Sequence, residues 1–186
     1  MSKFLYTIPL LFLAACAPLA PTHAFTAQSA PDTIQLTSSA FAAKEPIPDE
    51  YTASQEDFSP PLAWTNLPAA TRELALIVED PDAITPDPID HWLLYKIPPT
   101  TTALPPRIPH GEKLSNHMYQ GTNHFNTVGY TGPALTRRAG THHYHFTLYA
   151  LDHPLALDPG ASIADFREAL ANHILAKGTL IGTYSR

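Results

Sequence analysis

Twenty prolines are spread through this 186-residue chain, and they constrain its fold more than any other feature. Each fixes φ, removes a backbone donor and blocks a helix interior. Together with 8 glycines they break the chain into short pieces joined by turns, so long helices are few. The 44% of hydrophobic and 15% of charged residues suit one folded domain with a sizeable core. A net charge of -6 disfavours bulk attraction to nucleic acid or to an anionic membrane. A single cysteine excludes an internal disulfide framework and any multi-cysteine metal site. Ten histidines against 11 Lys+Arg are the first sign of chemistry.

Residues 1–16 read as an address. Lys3 supplies a positive start, and residues 4–15 are apolar. That run is too short to span a bilayer, which needs about 20 residues, so it reads as a signal peptide. It ends Leu13-Ala14-Ala15-Cys16, which resembles a bacterial lipobox. In such signals the cysteine is lipidated and becomes the new N-terminus, so Cys16 is the expected lipidation site and a lipid the membrane anchor. The alternative is cleavage after Ala17 or Ala24, giving a soluble periplasmic or secreted protein. Either way the domain is expected outside the cytoplasm, and losing Lys3 makes it more acidic. By resemblance to lipoprotein sorting signals, Ala17 after the cysteine favours the outer membrane, with the domain facing the periplasm. Residues 17–31 are rich in Ala, Pro and Thr and read as a tether, leaving 32–186 as the domain.

Within the domain, Ile34 to Leu36 is a short first strand and Leu62 to Trp64 a short apolar stretch. Glu73 to Glu79 is apolar for five residues and so buried on both faces. It runs into Asp80-Pro81-Asp82. His91 to Ile97 is a strand stopped by Pro98-Pro99, and residues 100–140 read as loop. His142 to Leu151 is a third clear strand. One helix is signalled. Ser162 is an N-cap, with Asp165 completing a capping box. Ile163, Phe166, Leu170 and Ile174 recur on one face, and Gly178 suits the C-terminal stop. A last short strand follows from Thr179 to Tyr184. The expected fold is mainly β, an antiparallel two-sheet sandwich with a C-terminal helix.

Period-two reading of the histidine strand puts His142, Tyr144, Phe146, Leu148 and Ala150 on one face. The apolar residues mark that face as the core side, so His142 and Tyr144 point inward at the strand's start. His143 and His145, with Thr147 and Tyr149, fall on the more polar side. Asp80, Asp82 and His91 also sit at strand ends. Two acids, two imidazoles and a phenol would make a polar site at the edge of the core. Spacing alone leaves open that Asp80-Pro81-Asp82 is only a turn and that the histidines are structural.

The pieces Phe58-Ser59-Pro60-Pro61-Leu62-Ala63-Trp64, Asp80-Pro81-Asp82-Ala83 and Asp90-His91-Trp92 come first. Gly121-Thr122-Asn123, Gly129-Tyr130-Thr131-Gly132-Pro133 and Gly140-Thr141-His142-His143-Tyr144 follow. In this order and spacing the chain resembles the phosphatidylethanolamine-binding protein family, in its bacterial Raf-kinase-inhibitor-like branch. The likeness runs from about Ile34 to Tyr184. It implies a β-sandwich with a small anion site for phosphate or a phospholipid head group, formed by Asp80, Asp82, His91, Pro133, His142 and Tyr144. It implies neither an enzyme nor a cofactor. Three residues depart from the family pattern. Ile84 stands where a proline follows the aspartate loop, Ala134 where a proline pair follows Pro133, and His143 where an arginine separates His142 from Tyr144. The last removes a fixed positive charge. Protonated His91 and His142, stabilised by the aspartates, would reconcile an anion with two carboxylates.

Two other readings stand beside this one. His143 and His145, two apart on one strand face, could chelate zinc or copper in a metal-dependent hydrolase. No third ligand, nucleophile elbow, phosphate-binding glycine loop or HExxH helix accompanies them. Resemblance to the family's kinase and protease inhibitors implies an interaction module, which outside the cytoplasm needs an envelope protein as partner.

Overall fold

Three long strands at the middle of the larger sheet carry the architecture: β3 (Glu73–Asp80), β4 (Ile89–Ile97) and β7 (Thr141–Leu151). Nearly every residue of β3 and β4 is buried, and so is β7 from Phe146 onward. The computed structural model describes residues 30–136 and 139–186. The leader, Cys16 and nearly all of the expected tether lie outside the described residues. With β6 (Tyr119–Gln120) and β8 (Ile174–Ser185) the long strands form a five-stranded antiparallel sheet in the order β6-β4-β3-β7-β8. A second sheet joins β1 (Gln35–Thr37), β2 (Leu62–Thr65) and β5 (Ala103–Leu104). The sandwich is the expected fold.

The core has two layers. Leu36, Trp64 and Leu104 of the small sheet pack with Leu74, Leu76, Val78, Trp92, Leu94, Phe146 and Leu148 of the large one. Behind the large sheet, Ala75, Ile77, Leu93, Tyr95, Tyr149 and Leu151 pack against Phe166 and Leu170 of α1 (Ile163–Leu170). The large sheet is therefore covered on both sides, which is why β3 carries no polar face. It also corrects the expected polar face of β7, where Thr147 and Tyr149 are buried.

The helix begins as expected. Ser162 Oγ accepts from Asp165 N at 3.2 Å and donates to Asp165 Oδ2 at 2.7 Å. It ends earlier than its apolar spacing suggests. Asn172 takes the left-handed conformation (φ 68) that the sequence reading gave to Gly178, and Asn tolerates it well. Ile174 then opens β8, a strand of 12 residues rather than a short one. Gly178 lies inside that strand, where a Cβ would sit 2.1 Å from Ile34 O. Glycine is needed there because the N-terminal segment docks on the edge, Ile34 N donating to Lys177 O at 3.0 Å and Ile47 N to Thr183 O at 2.8 Å. The segment thereby covers a long edge that would otherwise invite pairing with another chain.

Candidate functional site

Asp80 closes β3 on the sandwich side of the sheet, in phase with Leu74, Leu76 and Val78. Opposite it on β7, His142 and Tyr144 share the face of Phe146 and Leu148, as period two requires. Both are buried. His142 Nδ1 lies 2.8 Å from Asp80 Oδ2, so the ring donates there and turns Nε2 away from Asp80. Burial, reinforced by the Asp80 carboxylate, pushes the Tyr144 phenol far above its ordinary pKa. It is a neutral hydroxyl at any physiological pH.

His91 reaches the same cluster through an irregularity. In a regular strand it would share the face of Leu93 and Tyr95, against the helix. The ladder instead pairs Val78 with Trp92 and Glu79 with Asp90, leaving His91 between them as the extra residue of a bulge. Bulges re-aim side chains. The His91 ring meets the Tyr144 ring edge-on, with centroids 5.1 Å apart. His91 Nδ1 lies 2.6 Å from Thr131 O, a backbone acceptor, so in the neutral ring Nδ1 carries the hydrogen and Nε2 keeps its lone pair. Burial lowers the His91 pKa, outweighing Thr131 O and the Asp80 and Asp57 charges, which raise it. A permanently protonated His91 is therefore not what this environment favours.

Asp82 and Pro133 take different places. The Asp82 side chain is 41% exposed and faces His143. Its Oδ2 accepts the His143 backbone N–H at 2.9 Å and the ring Nδ1–H at 2.7 Å. These bonds hold its carboxyl below the ordinary range. Asp82 N donates to Asp80 Oδ1 at 3.0 Å, so the aspartate turn is tied to β3 and to β7. Pro133 is buried, and its carbonyl accepts from Ala53 N at 3.0 Å. The structure thus gathers Asp80, His91, His142 and Tyr144 in one cluster. Asp82 stands outside it as a brace, and Pro133 belongs to the segment that holds His91.

Several participants escaped the sequence reading. Asn123 is buried and fully bonded. Its Nδ2 donates to Gly129 O and Thr131 Oγ1, and its Oδ1 accepts from Phe125 N and Thr127 N. Phe125, 40% exposed, packs edge-on against His91 at 5.2 Å between centroids. The Gly121-Thr122-Asn123 piece marked this region without revealing its role. Ile84, on the loop after Asp80, is fully exposed. Behind the site, Arg167 of α1 bridges Glu79 Oε1 at 2.6 Å and Asp90 Oδ1 at 2.9 Å.

His143 and His145 keep the expected common side, but His143 is engaged with Asp82. His145 is half-buried across from Glu79. Among the described residues, no group of three or more His, Cys, Asp or Glu is placed to hold a metal ion.

Fold and cluster define the class: an antiparallel β-sandwich with Asp, His and Tyr side chains gathered at one end of its large sheet. The chain belongs to the phosphatidylethanolamine-binding protein family, whose model matches residues 37–185. It is 42% identical over 154 residues to a UPF0098 protein of Methanothermobacter thermautotrophicus, covering 82% of this chain and 99% of that one. A Chlamydia trachomatis protein described as a putative homologue of the family superposes with a TM-score of 0.73 at 33% identity, covering 83% of this chain and 99% of that chain. Escherichia coli YbcL, described as a new member of the mammalian family, gives 0.77 at 28% identity over the same shares.

Proposed function

We propose that this chain is a non-enzymatic binding protein. Its Asp80–His91–His142–Tyr144 cluster takes a small anion, either phosphate or the phosphate of a phospholipid head group, with Asp82 and Pro133 shaping the surround. The observation that carries the reading is the buried His142–Asp80 pair, 2.8 Å apart, beside a neutral phenol and a bulge-directed imidazole. Enclosed clusters of titratable side chains with perturbed pKa values are candidate ligand sites. The family is named for binding a phospholipid of this class. His142 Nε2 and His91 Nε2 are the groups left to meet a ligand, beside the Tyr144 hydroxyl, which hydrogen-bonds Asp80.

The test is thermal denaturation of residues 17–186 with phosphate, phosphoethanolamine and zinc, beside His142→Ala. A ligand that binds only the folded state raises the melting temperature by mass action. A shift with the phosphate compounds that disappears in His142→Ala supports the reading. No shift with either phosphate compound overturns it and directs the search to a protein partner in the envelope.

We further propose that the domain is held in the bacterial envelope, facing the periplasm, by a lipid on Cys16. The support is the apolar leader ending at that cysteine. Expression in a bacterial host with a labelled fatty acid tests this. Label retained by the wild type and lost in Cys16→Ser supports anchoring, whereas an unlabelled protein recovered in the periplasmic fluid rejects it.

A further inference from the structure

Asp57 lies outside both sheets, in the turn that precedes Ser59-Pro60-Pro61. It adopts the left-handed conformation (φ 57) and is anchored by its own N–H to Thr52 O at 3.2 Å. Its Oδ1 accepts the Gly132 N–H at 2.6 Å, a short, charge-assisted bond. Gly132 is packed so tightly that a Cβ would lie 2.2 Å from Tyr51 O and 2.8 Å from Thr52 Cα. The residue before it, Thr131, is the one that holds His91. Thr131 N donates to His91 O at 3.0 Å, and Thr131 O takes His91 Nδ1 at 2.6 Å.

The 129–133 segment is also tied by Tyr130 Oη to Tyr51 O at 2.8 Å, by Ala53 N to Pro133 O at 3.0 Å and by Asn123 Nδ2 to Gly129 O at 3.1 Å. These ties are neutral. The Asp57 bond is the one from a carboxylate, and it lands on the peptide that directs the Thr131 carbonyl.

We propose that Asp57 is a positioning residue of the ligand site. Through Gly132 and Thr131 it fixes His91 as the Nδ1–H tautomer, so that Nε2 faces the ligand, placed to accept a hydrogen that a phosphate carries or to take up a proton and donate it. The proposal rests on the reading of the Asp80–His91–His142–Tyr144 cluster as a ligand site. Asp57 also sets the charge around the ring. The charged or titratable groups that act on His91 are Asp80 from β3, Asp57 from its turn and His124 from the segment after β6, with Tyr144 of β7 at ring contact. Asp57 and Asp80 favour the protonated ring, His124 the neutral one.

Two variants separate these roles. Asp57→Asn keeps an acceptor oxygen and a residue tolerant of positive φ but removes the charge. Asp57→Gly keeps the backbone conformation and removes the acceptor. Histidine side-chain ¹⁵N NMR of the ligand-free protein reads tautomer and titration directly. The wild type and Asp57→Asn should show His91 as a single Nδ1–H tautomer, with Asn lowering the pH at which it titrates. Asp57→Gly should show mixed tautomers and bind inorganic phosphate roughly tenfold more weakly, about the net worth of one charge-assisted hydrogen bond. An unchanged His91 spectrum in Asp57→Gly overturns the proposal. If that variant does not fold, an unshifted titration in Asp57→Asn does the same. The ¹⁵N arm needs no ligand, so a wild type that ignores phosphate sinks the anion reading without deciding the role of Asp57.

Discussion

His142 Nδ1 donates to Asp80 Oδ2 at 2.8 Å with 11% and 4% of the two side chains exposed. The pair joins the end of β3 to the start of β7, its neighbour in the large sheet. Asp80 Oδ1 meanwhile accepts the N–H of Asp82, so one carboxylate serves strand and loop together. Removing it leaves a buried imidazole N–H without an acceptor. Asp80→Ala should therefore cost about 3 kcal/mol of folding stability, in the range for breaking a buried pair from one side. Asp80→Asn, which keeps an acceptor oxygen, should cost about 1 kcal/mol. Urea unfolding checks both, and equal losses in the two variants would show that the charge, not the acceptor, matters.

The helix side of the sheet should be separable from the site. Phe166 is fully buried and packs against Tyr95 with ring centroids 5.8 Å apart. Phe166→Ala opens a cavity there and should cost about 4 kcal/mol. Any response of the melting temperature to phosphate should survive, because Phe166 belongs to the layer behind the sheet. Loss of both stability and response would mean that the helix governs the site through the Arg167 bridge to Glu79 and Asp90.

The sequence made the central strands legible because β3 and β4 are apolar runs cut off by aspartate or proline, and β7 alternates along its length. The helix start was equally plain, since a capping box is a local device. Its end was not: Asn172 and Gly178 are both credible stops, and only the pairing of β8 with β7 decides between them. β5 and β6 have two residues each and exist only through their partners, so no local pattern could show them. In the site, alternation placed His142 and Tyr144 correctly because β7 is regular there. It could not place His91, whose direction depends on a bulge. Nor could it tell that Asp82 turns outward to His143, or that Asp57, 75 positions from Gly132, holds the segment behind His91.

The contribution of Asp90 to stability should fall as pH rises through the acid range. Burial lifts its carboxyl from 3.8 to about 7, against the opposing pull of Arg167. A raised folded-state pKa means that the folded form holds a proton the unfolded chain releases. The contribution is then fully present below about pH 4 and is lost as pH climbs to about 7. Burial raises the Glu73 carboxyl as well, so it acts in the same direction. Asp90→Asn should flatten much of this slope without abolishing it. Urea midpoints at pH 4.5, 6 and 7.5 would show it, and a variant with the wild-type slope would exclude Asp90 as the titrating group.

Anion binding should strengthen as pH falls, because the ligand-free site offers lone pairs where an anion needs donors. His91 spends its Nδ1–H on Thr131 O, and burial lowers its pKa. At neutral pH its Nε2 can only accept. A phosphate entering the site therefore either donates a hydrogen of its own or draws a proton onto the ring; the second takes up a proton, and the first does so wherever the bound phosphate holds more hydrogens than the free one. The third route, a fixed positive charge, is unavailable at the position after His142, which holds His143 paired with Asp82. Calorimetric titration with phosphate in buffers of different ionisation enthalpy reads this uptake directly. Affinity should be higher at pH 5.5 than at pH 8, with net proton uptake between them, and His91→Asn should lose most of the pH dependence. Equal affinity across that range, with no proton exchanged, would remove His91 from the ligand's charge balance and leave backbone N–H groups as the donors.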